Sequence, residues 1–104
     1  MQKELELYEI LYLVRPNFTE QETVEKINYY QDFLTNKGSQ VMVQNRGKRQ
    51  LSYPIKGFET ANYIQMFYLG NGTLVNALNQ EIQRDQTVLR HITTKLPEPL
   101  AMGQ

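Results

Sequence analysis

The stretch Leu51-Ser52-Tyr53-Pro54-Ile55-Lys56-Gly57-Phe58-Glu59-Thr60-Ala61-Asn62-Tyr63-Ile64 decides the fold. Aliphatic and aromatic residues lie on both sides of Lys56-Gly57, and a short glycine-containing pair between two such runs marks a turn joining antiparallel strands. Upstream of the turn, Ser39 to Tyr53 alternates at Val41 and Val43 and again at Leu51 and Tyr53, which predicts one long strand ending before Pro54. Gly47 interrupts it, where a bulge or bend is expected. Downstream, Ala61 to Leu69 predicts the next strand.

Working outward, each arm of this hairpin meets a helical segment and then another strand. Leu5 to Val14 is rich in aliphatic and aromatic residues and stops at Arg15-Pro16-Asn17. Thr19 with Glu22 forms a capping-box pattern, and Val24, Ile27 and Leu34 recur at helical spacing before Lys37-Gly38 closes the segment. On the other side, Gly70-Asn71-Gly72-Thr73 opens a helix carrying Leu74, Leu78 and Ile82 and ending near Arg84-Asp85. Thr87 to Lys95 predicts a last short strand, and Leu96-Pro97-Glu98-Pro99 disrupts any further element.

The order β-α-β-β-α-β is the ferredoxin-like split βαβ arrangement, an α+β fold. Right-handed crossovers put both helices on one face of a four-stranded antiparallel sheet and leave the other face uncovered. We expect a single domain over 1–96 and a loose tail over 97–104. Alternation places Ile10, Tyr12 and Val14 on one face and Leu11 and Leu13, with Glu9, on the other. In the third strand Ile64, Met66 and Tyr68 oppose Tyr63, Phe67 and Leu69. Both faces are apolar, whereas a solvated face should read as polar, so a partner on the second face is implied.

Composition narrows the function. The 104 residues contain no cysteine, which excludes thiol catalysis, disulfides and thiolate metal sites. No apolar run approaches the roughly 20 residues that span a bilayer, and the acidic start is unlike a signal peptide, so a soluble, cytoplasmic protein is expected. The 11 cations and 11 acids cancel. Their placement is polarised, with seven acids against three bases up to Asn36 and four acids against eight bases from Lys37 onward.

Catalytic candidates are weak. His91 is the single histidine and lies in a predicted strand, where a structural role is the commoner one. Asp85 beside Arg84 reads as a helix-end salt bridge or cap, and Gly70-Asn71-Gly72-Thr73 lacks the lysine and spacing of a phosphate-binding loop. No catalytic set, metal site or cofactor is expected. The binding signal is stronger. Arg46, Lys48 and Arg49 fall within four residues, Lys56 follows in the turn, and no acid intervenes between Arg46 and Lys56. Charge on an edge strand also guards against sheet-to-sheet association. Together with Arg84, Arg90 and Lys95, however, the stretch fits contact with nucleic-acid phosphates. Strand aromatics could stack bases, but Asn62 to Tyr68 lacks the run by which an RNA-recognition module does so, and packing is the expected role.

Tyr8-Glu9-Ile10 running into Val14-Arg15-Pro16-Asn17, then Gly47-Lys48-Arg49-Gln50-Leu51-Ser52-Tyr53-Pro54-Ile55, then Arg84-Asp85, Val88-Leu89-Arg90 and Lys95, together resemble the bacterial-type small ribosomal subunit protein six family. The resemblance covers nearly the whole chain in order. It implies a structural, non-enzymatic ribosomal component that pairs with small-subunit protein eighteen and binds the central domain of small-subunit ribosomal RNA. By that resemblance Arg49, Lys56, Arg84, Arg90 and Lys95 are candidates for RNA contact, and Arg46 and Lys48 join them from the reading of the basic stretch. Leu11, Leu13, Tyr63 and Phe67 are candidates for the partner surface. The competing expectation is a small ferredoxin-like homodimeric enzyme or ligand-binding subunit that buries its open face against a second copy.

Overall fold

The computed structural model describes residues 5–97, so the tail expected over 97–104 lies, apart from Pro97, outside the described residues. The elements are β1 (Glu6–Val14), α1 (Glu20–Thr35), β2 (Val41–Ile55), β3 (Phe58–Gly70), α2 (Gly72–Gln83) and β4 (Val88–Lys95). All pairings are antiparallel and the strand order is β2-β3-β1-β4. The split βαβ architecture expected from the element order is the one observed.

Local chemistry explains where the helices begin. Thr19 Oγ1 accepts from the Glu22 amide at 3.0 Å while Glu22 Oε1 accepts from the Thr19 amide at 2.9 Å, so two otherwise orphan donors are satisfied reciprocally. Asn71 does the same work for α2, its Oδ1 accepting from the Leu74 amide at 3.0 Å. The face that α1 buries is Thr23, Ile27, Tyr30 and Leu34. Val24, expected on that face, is 45% exposed. Position 24 lies one residue off the stripe, and Thr23 fills the inner position with its hydroxyl bonded to the Thr19 carbonyl at 3.0 Å. Val24→Ser should therefore shift unfolding stability by no more than about 0.5 kcal/mol in urea titration.

The main core lies between sheet and helices: Ile10, Tyr12, Val14, Ile64, Met66 and Tyr68 from the strands meet Ile27, Tyr30, Leu34, Leu78 and Ile82 from the helices. Two polar tips come with the rings. The Tyr12 and Tyr68 hydroxyls are buried with no hydrogen-bond partner among the described residues, and burial pushes the Tyr68 phenol up to about 12. His91 pairs across from Tyr12 on this helix-covered face, where burial lowers its pKa.

The opposite face differs from the sequence expectation. It carries a second, smaller cluster of Leu13, Ala61 and Leu89, against which Leu11, Leu51, Ile55, Phe58 and Tyr63 pack. Leu51, Ile55 and Phe58 belong to the β2–β3 hairpin, so the molecule covers one end of its own open face. Two irregularities curl the hairpin. The first is the bulge between Asn45 and Gly47, where Gly47 has φ 86° and its amide donates to Asn45 Oδ1 at 2.9 Å. The second lies between the pairs Gln50–Thr60 and Ile55–Phe58, where five steps along β2 are matched by only two along β3. Pro54 falls in this excess, where no ladder amide is needed, so β2 runs through it to Ile55 instead of stopping before it. Lys56 and Gly57, at φ 51° and 85°, then close the two-residue turn with both residues left-handed.

Candidate functional site

Register fixes which side chains share the open face. One row across the sheet is Gly47, Tyr63, Leu13 and Arg90; the next is Gln44, Gln65, Leu11 and Ile92; the third is Met42, Phe67, Glu9 and Thr94. The hairpin end of this face is cationic. The Arg49 guanidinium lies 5.6 Å above the Tyr63 ring centre. Arg90 lies 5.8 Å above the Tyr53 ring centre, and its Nη1 donates to the Tyr53 hydroxyl at 2.9 Å. Arg46, the extra residue of the bulge, donates from Nε to Gln65 Oε1 at 2.9 Å. The bulge thus gathers Arg46 and Arg49 on one face, while Lys48, paired opposite Asn62, points to the other.

Tyr53, near the end of β2, is 55% exposed, because the excess residues of β2 carry it outward and across to β4. Its meeting with Arg90 joins residues on the two opposite edges of the sheet. Guanidinium groups held over rings keep their charge and lose conformational freedom before any ligand arrives.

The seven predicted cations divide by their partners. Arg84 Nη1 stands 3.9 Å from Glu81 at the end of α2, on the helix side. Lys95 Nζ stands 3.3 Å from Glu6, beyond the sheet end remote from the hairpin. Among the described residues no carboxylate approaches Arg46, Lys48, Arg49, Lys56 or Arg90 within 4.0 Å. The structure therefore brings Arg46, Arg49 and Arg90 together, with Lys48 and Lys56 on the same hairpin, and sets Arg84 and Lys95 apart.

The predicted partner residues divide too. Leu13, at 7% exposed, is withdrawn beneath the hairpin as part of the second cluster and offers no open surface, and Tyr63 lies under Arg49. Leu11 and Phe67 remain half-buried on the face. Met42 and Ile92, which alternation alone did not single out, are exposed in the same rows, Ile92 at 60%. Leu7, Met42, Phe67 and Leu69 line a shallow groove of about 280 Å³. Arg15, read from sequence only as a strand stop, places its guanidinium 5.3 Å above the Phe18 ring centre at the hairpin end of β1.

A family model described as Ribosomal protein S6 matches residues 7–95. The chain is 38% identical over 93 residues to small ribosomal subunit protein bS6c of Guillardia theta, covering 88% of this chain and 97% of that protein. It is 37% identical over 97 residues to small ribosomal subunit protein bS6 of a Picosynechococcus species, covering 91% and 84%. A bS6 protein of Gloeothece citriformis is 39% identical over 90 residues, covering 86% of this chain; the chain spans 51% of that relative's length. The crystal structure of 30S ribosomal protein S6 from Thermotoga maritima superposes with a TM-score of 0.83 at 21% identity, covering 90% and 89% of the two chains, and shares the fold.

Proposed function

Because the chain belongs to the ribosomal protein S6 family, a family of structural, non-enzymatic components of the small ribosomal subunit, we propose that it binds the central domain of small-subunit ribosomal RNA jointly with protein eighteen. The observation that carries the reading is the division of one sheet face into two chemistries. At the hairpin end lie Arg46, Arg49 and Arg90, with no carboxylate beside them among the described residues. At the other end lie Met42, Phe67, Leu11 and Ile92.

The cationic end suits phosphate and sugar contacts, with Arg49 and Arg90 foremost, Arg46, Lys48 and Lys56 supporting them, and Arg84 and Lys95 engaged with their own acids. The apolar end suits protein eighteen. A handful of cations on a chain of zero net charge gives weak RNA affinity alone. A partner that adds its own RNA contacts on the adjoining surface makes binding joint. Bound together to central-domain RNA, the pair should show affinity roughly tenfold or more above that of this chain by itself. Equal affinity with and without protein eighteen would contradict the proposal, as would failure of the tagged chain to co-sediment with small subunits.

A further inference from the structure

Glu9 is an anomaly on the apolar half of the open face. It lies on the central strand β1, half-buried, facing Phe67 of β3 on one side and Thr94 of β4 on the other. Its Oε2 accepts from Gln65 Nε2 at 2.6 Å, and Gln65 Oε1 accepts from Arg46 Nε at 2.9 Å. These bonds fix the amide orientation of Gln65 and draw one polar stripe, Arg46–Gln65–Glu9, across the sheet. Among the described residues no cation reaches Glu9 within 4.0 Å, and Glu9 is the only carboxylate in the three rows of the open face.

We propose that the open face selects its protein partner through Glu9: a cationic side chain of the partner closes onto this carboxylate, while apolar partner side chains cover Met42 and Phe67 on one flank and Leu11 and Ile92 on the other. The inference rests on the reading that this face takes a protein. A carboxylate covered by another molecule loses water, and without a cation or several donors in return the loss is expensive. An all-apolar segment is thereby rejected, and so is a segment whose charge falls out of register. RNA is disfavoured at this end because phosphate meets a negative group, which separates the two ligands along one surface: nucleic acid at Arg49 and Arg90, polypeptide at Glu9. The occupant is a segment that presents an apolar, cationic, apolar sequence of side chains toward the sheet.

The test is capture of purified protein eighteen, read by calorimetry or surface binding. Glu9→Gln keeps the shape of the side chain and should weaken capture roughly 30-fold. Glu9→Lys should weaken it further and be rescued by a glutamate at the matching cationic position of the partner. Reversing each partner cation in turn should reveal one position whose effect vanishes in the Glu9→Gln background; this arm needs no destabilising change in the present chain. If Glu9→Gln stays within about twofold of the parent while Phe67→Ala loses tenfold or more, the carboxylate role is overturned and the face reading survives. If neither matters, both fall.

Discussion

Asp85→Ala is expected to lower unfolding stability by about 3 kcal/mol, which for a chain of this size moves the thermal midpoint down by roughly 10–20 °C. Asp85 follows α2 and is the point to which α1 is tied. Lys26 Nζ lies 2.7 Å from its Oδ2, the Tyr30 hydroxyl donates to the same oxygen at 2.6 Å, and the Thr87 amide and hydroxyl donate to Oδ1 at 3.0 and 2.6 Å. Burial by itself pushes this carboxyl up, but the hydrogen bonds from Lys26, Thr87 and Tyr30 outweigh burial and bring it from 3.8 down to about 2. A group depressed in the folded state stabilises fully above its unfolded pKa and loses that contribution as pH falls through the folded one. The stabilisation should therefore be complete above about pH 4 and fade toward pH 2. At about 1.4 kcal/mol per pH unit the charge-linked part is of order 2 kcal/mol. Urea titrations of the parent and Asp85→Ala should show curves that converge as the pH drops from 5 to 2. A gap that stays constant over that range would mean that the ionised carboxylate is not what holds α1 to the start of β4.

That tie shows where sequence reading stops. Asp85 beside Arg84 was legible as a helix-end feature, and Arg84 does pair with Glu81. The partners that matter to Asp85 are Lys26 and Tyr30, more than fifty residues away, and no local period announces them. What periodicity and caps could deliver, they delivered: the alternation of β1 and β3, the reciprocal Thr19–Glu22 cap, the bulge at Gly47 and the Lys56-Gly57 turn. Alternation says which residues share a face of a strand and is silent on what later folds over that face. The three residues by which β2 outruns β3 near Pro54 bend the hairpin onto Leu13 and Leu89, and this one local excess withdraws Leu13 and brings Tyr53 to Arg90. Along β4, Val88, Arg90 and Ile92 alternate with Leu89, His91 and Thr93, so apolar and polar residues fall on both sides and the pattern alone does not say whether Arg90 or His91 faces out. The register with β1 resolves it, setting Arg90 opposite Leu13 and His91 opposite Tyr12.

The joint variant Arg49→Ala, Arg90→Ala is the sharpest test of the cationic end. In the presence of protein eighteen it should reduce affinity for central-domain RNA roughly 10- to 100-fold at moderate salt and flatten the dependence of log affinity on log salt by about 1.5, since each lost phosphate contact removes about 0.7–0.9 from the slope. The salt slope is what separates phosphate contact from indirect damage, because a merely distorted surface weakens binding without changing how many counterions are released. Tyr53→Phe provides an inner control. It keeps the ring beneath Arg90 but deletes the acceptor that holds Nη1 at 2.9 Å, so affinity should fall modestly, about threefold, through lost preorganisation, and the slope should not move. Arg84→Ala and Lys95→Ala remove cations already paired with Glu81 and Glu6, and each should stay within about twofold of the parent. A Lys95→Ala loss as large as that of the joint variant, or parallel salt lines for the joint variant and the parent, would place the RNA elsewhere than on the Arg–aromatic pairs. Of the seven cations expected to touch RNA, Arg49 and Arg90 are the two that have no carboxylate within 4.0 Å among the described residues and a guanidinium already held over a ring, so that phosphate meets them with the least ordering left to do.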